Sequence, residues 1–115
     1  MDFEAELKTF QKLPAPSLCR LIDFKEAEVV PGIVNDTFIL IVAGVKPWIT
    51  MSVELHPLIY ITQPDFWGIE VVGCQKGIGL PQTGTYQVSL DISHFRGKKG
   101  IEVIGANLKR QLSVP

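Results

Sequence analysis

Polar and apolar residues alternate singly along much of this chain. Tyr86, Val88, Leu90 and Ile92 are interleaved with Thr85, Gln87, Ser89 and Asp91, and Met51, Val53 and Leu55 with Thr50, Ser52 and Glu54. A period of two sends successive side chains to opposite faces, which predicts strands with one buried and one wet face. Phe38-Ile39-Leu40-Ile41-Val42 is apolar at every position, which predicts a central strand covered on both sides. The same reading predicts strands near 17–24, 26–30, 37–44, 49–55, 58–62, 68–74, 85–93 and 100–113. Pro57 interrupts one run and marks an edge or a bulge, because proline cannot donate to a ladder. Turn residues punctuate the runs at Pro31-Gly32, Asn35-Asp36, Gly44 to Pro47, Gln63-Pro64-Asp65 and Gly97, and the longest irregular piece runs from about Gln75 to Gly84.

Only the first segment keeps a helical period. Phe3, Leu7, Phe10 and Leu13 form one apolar stripe, with Glu4 and Lys8 as an i,i+4 pair beside it. The pattern predicts a helix over 1–13, stopped by Pro14-Ala15-Pro16. The predicted fold is therefore all-β: an antiparallel sandwich or flattened barrel of about seven or eight strands over 17–113, with one short N-terminal helix. A chain of 115 residues is expected to form a single domain, 1–115.

Composition adds an expectation about partners. Hydrophobic residues make up 46% of the chain and mean hydropathy is +0.23, much for a small domain with a large surface to cover. Surplus apolar surface commonly ends in a subunit contact, so a homo-oligomer, most simply a symmetric dimer, is expected. The net charge is −1 and gives no general attraction for nucleic acid or an anionic membrane. The N-terminal MDFEAELKTF has neither a basic region nor an apolar core of a secretory signal, and no apolar run approaches membrane-spanning length. These features lead to an expected cytoplasmic location. Cys19 and Cys74 match no zinc spacing and are expected to be separate reduced thiols acting as small core residues.

Several short motifs suggest chemistry. GIEVVG at 68–73 and GIEVIG at 100–105 place Glu70 and Glu102 at equivalent points of similar strands. Paired carboxylates can serve a hydrolase, but each glutamate is followed on its face by apolar residues, so both are expected at the rim of a core. Asp91-Ile92-Ser93-His94 holds the letters of a hydrolytic triad. Strand phase sends His94 to the face opposite Asp91 and Ser93, so no triad is expected, and His94 is expected to end the buried face with its ring hydrogen-bonded. Glu54 and His56 share a face, yet only one other histidine exists, so no metal site is expected. The glycines from Gly73 to Gly79 lack the Lys-Ser/Thr ending of a phosphate loop, and no cofactor is expected. Arg96, Lys98, Lys99, Lys109 and Arg110 make the C-terminal part basic, but with no interleaved aromatics these read as solvated loop and edge charges.

The aromatic residues carry the strongest functional expectation. Trp48 follows a proline turn, and Phe66-Trp67 lead directly into the first GIEVVG. Adjacent rings on an extended chain point to opposite faces, so one of Phe66 and Trp67 is expected to face solvent. The expected function is a non-catalytic binding or oligomerising domain using Trp48, Phe66 and Trp67. The alternatives are a carbohydrate or lipid-like ligand site in a β-cavity lined by Tyr60, Trp67 and Tyr86, and a hydrolase using Glu70 with Glu102, or His56 with Glu54.

Overall fold

Eight strands build two facing sheets in a computed structural model that describes residues 17–114. In chain order they are β1 (Ser17–Leu21), β2 (Glu26–Pro31), β3 (Phe38–Lys46), β4 (Ser52–Pro57), β5 (Phe66–Lys76), β6 (Gly84–Asp91), β7 (Gly100–Ile104) and β8 (Lys109–Ser113). One sheet has three strands, in the order β2-β3-β6, and the other has five, organised around β5. The expected all-β sandwich is the observed fold. The expected helix over 1–13 lies outside the described residues.

The five-stranded sheet is not a simple row. β4 pairs with β5 from Ile69 to Cys74, β7 from Phe66 to Glu70, and β1 from Val72 to Lys76. Because β4 overlaps both of the others along β5, β1 and β7 must share its opposite edge and lie end to end there. β5 and β7 run parallel, the connection between them passing through β6 in the other sheet; every other pairing is antiparallel. The two similar hexapeptides are thus neighbours, offset by two positions so that Phe66 is opposite Gly100 and Gly68 opposite Glu102.

The alternation found in the sequence sorts side chains between the core and the outer faces. Leu40 and Val42 from β3, Ile69 and Val71 from β5, and Ile101 and Val103 from β7 are fully buried and meet with Ile22, Phe24, Met51, Leu55 and Ile92 in one cluster. Burying such a side chain stabilises the fold by roughly 1.5–3 kcal/mol. β3 is central in its sheet as expected, but only one of its faces is fully covered. Ile39 and Ile41, on the face away from the core, are half-buried, because the three-stranded sheet packs against its partner sheet on one side.

Boundaries differ where side chains or glycines intervene. The stretch 58–62 is not a strand: β4 stops at Pro57, and Leu58 turns its carbonyl to the Trp67 indole. The run expected over 100–113 divides into β7 and β8 at a tight turn, where the Gly105 N–H donates to the Leu108 carbonyl at 2.7 Å. The flanking glycines of the second hexapeptide are needed for close approach. A Cβ on Gly100 would stand 2.0 Å from the Leu112 carbonyl oxygen, and one on Gly105 would stand 2.7 Å from the Asp23 carboxylate.

The cysteines also differ from expectation. Cys19 and Cys74 face each other across β1 and β5 with their Cα atoms 4.1 Å apart, joined as a disulfide. The reduced-thiol expectation fails because residues 55 apart in sequence are brought into register on adjacent strands. The Ile22 N–H donates to the Val71 carbonyl, and two-residue alternation from that point makes Cys19 and Cys74 a non-hydrogen-bonded pair. In such pairs the side chains of opposite residues approach most closely.

Candidate binding surface

The sandwich has two ends, each closed by a tryptophan. At the tip lie the connections 32–37, 58–65 and 92–99; at the base lie 47–51 and 77–83. Trp67 belongs to the tip. Its ring sits edge-on to Tyr60 at 5.0 Å and to Phe95 at 5.9 Å, geometries that suit the aromatic quadrupole. Its Nε1–H donates to the Leu58 carbonyl at 2.9 Å, and the Gly68 N–H donates to the Tyr60 hydroxyl at 3.1 Å. Gly68 makes this possible, since a Cβ there would collide with Leu58 and Tyr60.

The loops above these rings are tied to one another. Gln63 Nε2 donates to the Arg96 carbonyl, the Lys98 N–H to Pro64 and the Lys99 N–H to Asp65, with distances of 2.8–2.9 Å. Arg96 also lies over the Phe38 ring at 5.3 Å, joining the crossover loop to the three-stranded sheet. On this rigid support Ile59 and Ile61 are 96% and 104% exposed, and at the same end the β2–β3 turn presents Ile33 and Val34 at 104% and 69%. That turn requires Asp36 at φ 63°, a conformation that Asp tolerates better than most residues. Isolated exposed aliphatics are ordinary on any protein; here four lie on loops at one end of the sandwich.

Trp48 lies at the opposite end. Arg20 stands over its ring at 5.5 Å and Gly79 packs beneath it. Thr50 and Gln75 share a 2.9 Å hydrogen bond, and the Ile49 N–H donates to Gln82. Leu18, Ile49, Ile78 and Leu80 are exposed here too, at the end where β1 begins at Ser17.

The aromatic residues named for the two expected sites are spread along the sandwich. Tyr60 and Trp67 join at the tip, Phe66 is half-buried beside them on β5, and Trp48 is at the base. Tyr86 is 8% exposed and lies in the core, where its hydroxyl donates to the Asp23 carbonyl at 2.8 Å. Burial pushes its phenol up to about 12, with the Asp23 charge adding to the shift. A single cavity shared by Tyr60, Trp67 and Tyr86 is not formed.

The chemical motifs disperse likewise. Glu70 and Glu102 are half-buried on the outer face of the five-stranded sheet, offset by two residues along the ladder, and Gln111 donates to Glu102 at 3.3 Å. His56 is opposite Glu70 on that face and pairs with Glu54 at 2.8 Å. Among the described residues no set of three His, Cys, Asp or Glu side chains converges to hold a metal. His94 does not end a buried face: β6 stops at Asp91 and His94 is exposed in the crossover. There the Ser93 hydroxyl and N–H both donate to Asp91 Oδ1, holding its carboxyl below the usual range. The C-terminal cations separate too, with Arg96, Lys98 and Lys99 near the tip, Lys109 on β8, and Arg110 over the Phe24 ring at 5.3 Å.

Two features escaped the sequence. Phe95 completes the tip stack, though nothing in its neighbourhood signals a ring contact with Trp67. Asp23 bridges the abutting ends of β1 and β7: Oδ1 accepts from the Asn107 and Leu108 N–H groups at 2.7 and 3.1 Å, and Oδ2 from Asn107 Nδ2 at 3.1 Å. These bonds, led by the Asn107 backbone, hold its carboxyl below the ordinary value of 3.8. The partners are 84 and 85 residues away, so no local spacing could show the contact. No helix among the described residues is long and apolar enough to cross a membrane. Compared with protein-family models, curated proteins and solved structures, the chain matches none.

Proposed function

We propose that this chain is a non-catalytic binding domain that meets a protein partner with its tip. The observation that carries the reading is a set of exposed aliphatics, Ile59 and Ile61 foremost, mounted on the interlocked Tyr60–Trp67–Phe95 base. Loops at the end of a sandwich are a common place for recognition, and a rigid support lowers the entropy lost on binding. The tryptophan expected to make contact acts here as the support, and the isoleucines as the anchors. The base offers exposed aliphatics as well, but no ring stack like that of Tyr60, Trp67 and Phe95 supports them among the described residues. The Cys19–Cys74 bridge favours an oxidising compartment over the cytoplasm.

The test is selection of peptides from a displayed random library on the immobilised, oxidised chain. Peptides carrying apolar anchors should lose binding by about 10-fold or more on the double variant Ile59→Ser/Ile61→Ser, and should keep it on Trp48→Ala. Binding that survives the tip substitutions and vanishes with Trp48→Ala would assign recognition to the base instead.

A further inference from the structure

A sheet ends in strands whose outward N–H and C=O groups can pair with another chain, and proteins usually guard such edges with proline, charge or a short strand. Four of the edges in this sandwich are guarded. β2 carries Glu26 and Glu28 and closes on Pro31; β4 carries Glu54 and closes on Pro57. β8 presents Lys109 and Arg110, and β1 has only five residues. β6 differs from all of these. It runs for eight residues, GTYQVSLD, without proline or a cation, and its only charge is Asp91 at the last position.

The phase of its hydrogen bonds can be read from one contact. The Ile92 N–H donates to the Phe38 carbonyl at 3.0 Å, and the register continues unbroken from Ile39 opposite Asp91 to Lys46 opposite Gly84. Hydrogen-bonded pairs recur every second residue in an antiparallel ladder. Tyr86, Val88 and Leu90 therefore direct their backbone groups at β3, while Thr85, Gln87, Ser89 and Asp91 direct theirs away from it. β6 pairs with no other strand among those described.

We infer that β6 is a self-association edge, through which two copies of this chain pair antiparallel, β6 to β6, and merge their three-stranded sheets into one of six strands. The strand is suited to pair with itself. Outward groups occupy odd-numbered positions, so odd must face odd, and a two-fold axis through Val88 satisfies this. Gln87 then lies opposite Ser89 of the second copy and Thr85 opposite Asp91, so no carboxylate faces another. Four such pairs supply about eight backbone hydrogen bonds. On the core-facing side Tyr86, Val88 and Leu90 continue into their counterparts. This surface is separate from Ile59 and Ile61, so it stands or falls independently of recognition at the tip.

The test is the mass of the full, oxidised chain by light scattering over a concentration series, together with charged variants of the exposed positions Gln87 and Ser89. The wild type should shift from monomer to dimer mass as concentration rises. Gln87→Lys/Ser89→Lys sets lysine opposite lysine and should weaken association by about 10-fold or more, as should Gln87→Glu/Ser89→Glu. Mixing the two variants should restore a dimer containing one of each, a result that general loss of folding cannot produce. A wild type that stays monomeric to about 1 mM, charged variants that dimerise like the wild type, or a mixture that fails to associate would each overturn the assignment.

Discussion

Trp67 and Trp48 close opposite ends of one sandwich, and they are held by different physics. Trp67 is fixed by two edge-on rings and a hydrogen bond from its indole to a loop carbonyl, in a tip whose loops are joined backbone to backbone. Trp48 is fixed by the Arg20 cation above it and the absence of a side chain at Gly79 below. The nearby Cys19–Cys74 bridge joins β1, the strand that carries Arg20, to β5. Removing the order of the tip means breaking many small contacts at once. The base has loop hydrogen bonds too, such as Ile49 to Gln82 and Thr50 to Gln75, but it adds one covalent bond that anchors a short strand.

The largest effect should come from that bond. Cys19 and Cys74 close a loop spanning 55 residues, for which chain entropy gives about 4 kcal/mol of stabilisation. Cys19→Ser/Cys74→Ser, or reduction by a phosphine, should lower urea stability by about that amount. Hydrogen exchange should show the loss first in β1 and around Trp48. If the amides of the tip open as early as those of β1, the two ends are not independent and the contrast fails.

Deletion of each tryptophan sharpens the contrast further. Trp67→Ala removes two ring contacts and leaves the Leu58 carbonyl without its indole donor, a loss of about 3 kcal/mol. Trp48→Ala removes a ring packed against a glycine and one cation–π contact, a loss of about 2 kcal/mol. Equilibrium unfolding of both variants measures the order directly. A larger loss for Trp48→Ala would make the base the better-built end.

The sequence made the strands legible because alternation is a local property. Residues 85–92 show their buried face in eight letters, and the structure agrees at Tyr86 and Ile92, both buried. The double-apolar run at Phe38 revealed a central strand, although not that its outer face stays half-open. What remained hidden depends on register between distant segments. Cys19 meets Cys74, Asp23 meets Asn107, and Trp67 meets Phe95 only after β1, β5 and β7 take their places. The environment of the tip aromatics was hidden for the same reason. Adjacent residues on a strand point apart, so one of Phe66 and Trp67 was expected to face solvent; both are half-buried, and the loop before them brings Tyr60 edge-on against the indole.

Asp23 lies between the two ends, where β1 and β7 abut, and its contribution should depend on pH. Its folded carboxyl titrates below 3.8, the ordinary value. The linked stability is therefore fully present above that value and is lost as pH falls through the lower folded one. Asp23→Asn should be less stable than the wild type at neutral pH, by less than either tryptophan deletion. The gap should narrow below pH 3.8. A gap that stays constant into acid would mean that the carboxylate charge contributes nothing to the junction.

The smallest effect belongs to Tyr86, which serves neither end. Tyr86→Phe keeps the packing and removes one hydrogen bond to the Asp23 carbonyl, a cost of about 1 kcal/mol. Here the pH dependence has the opposite sense. The buried phenol is raised from 10.0 to about 12, so its stabilisation is present below pH 10 and is lost as pH rises through the folded value. The difference between wild type and Tyr86→Phe should accordingly shrink between about pH 10 and 12, because only the wild type has a phenol to ionise. Tyr86 is buried in the core, so this loss should lower protection at tip and base alike. Exchange confined to one end would instead make Tyr86 part of that end, and would extend the difference between the two tryptophans into the core itself.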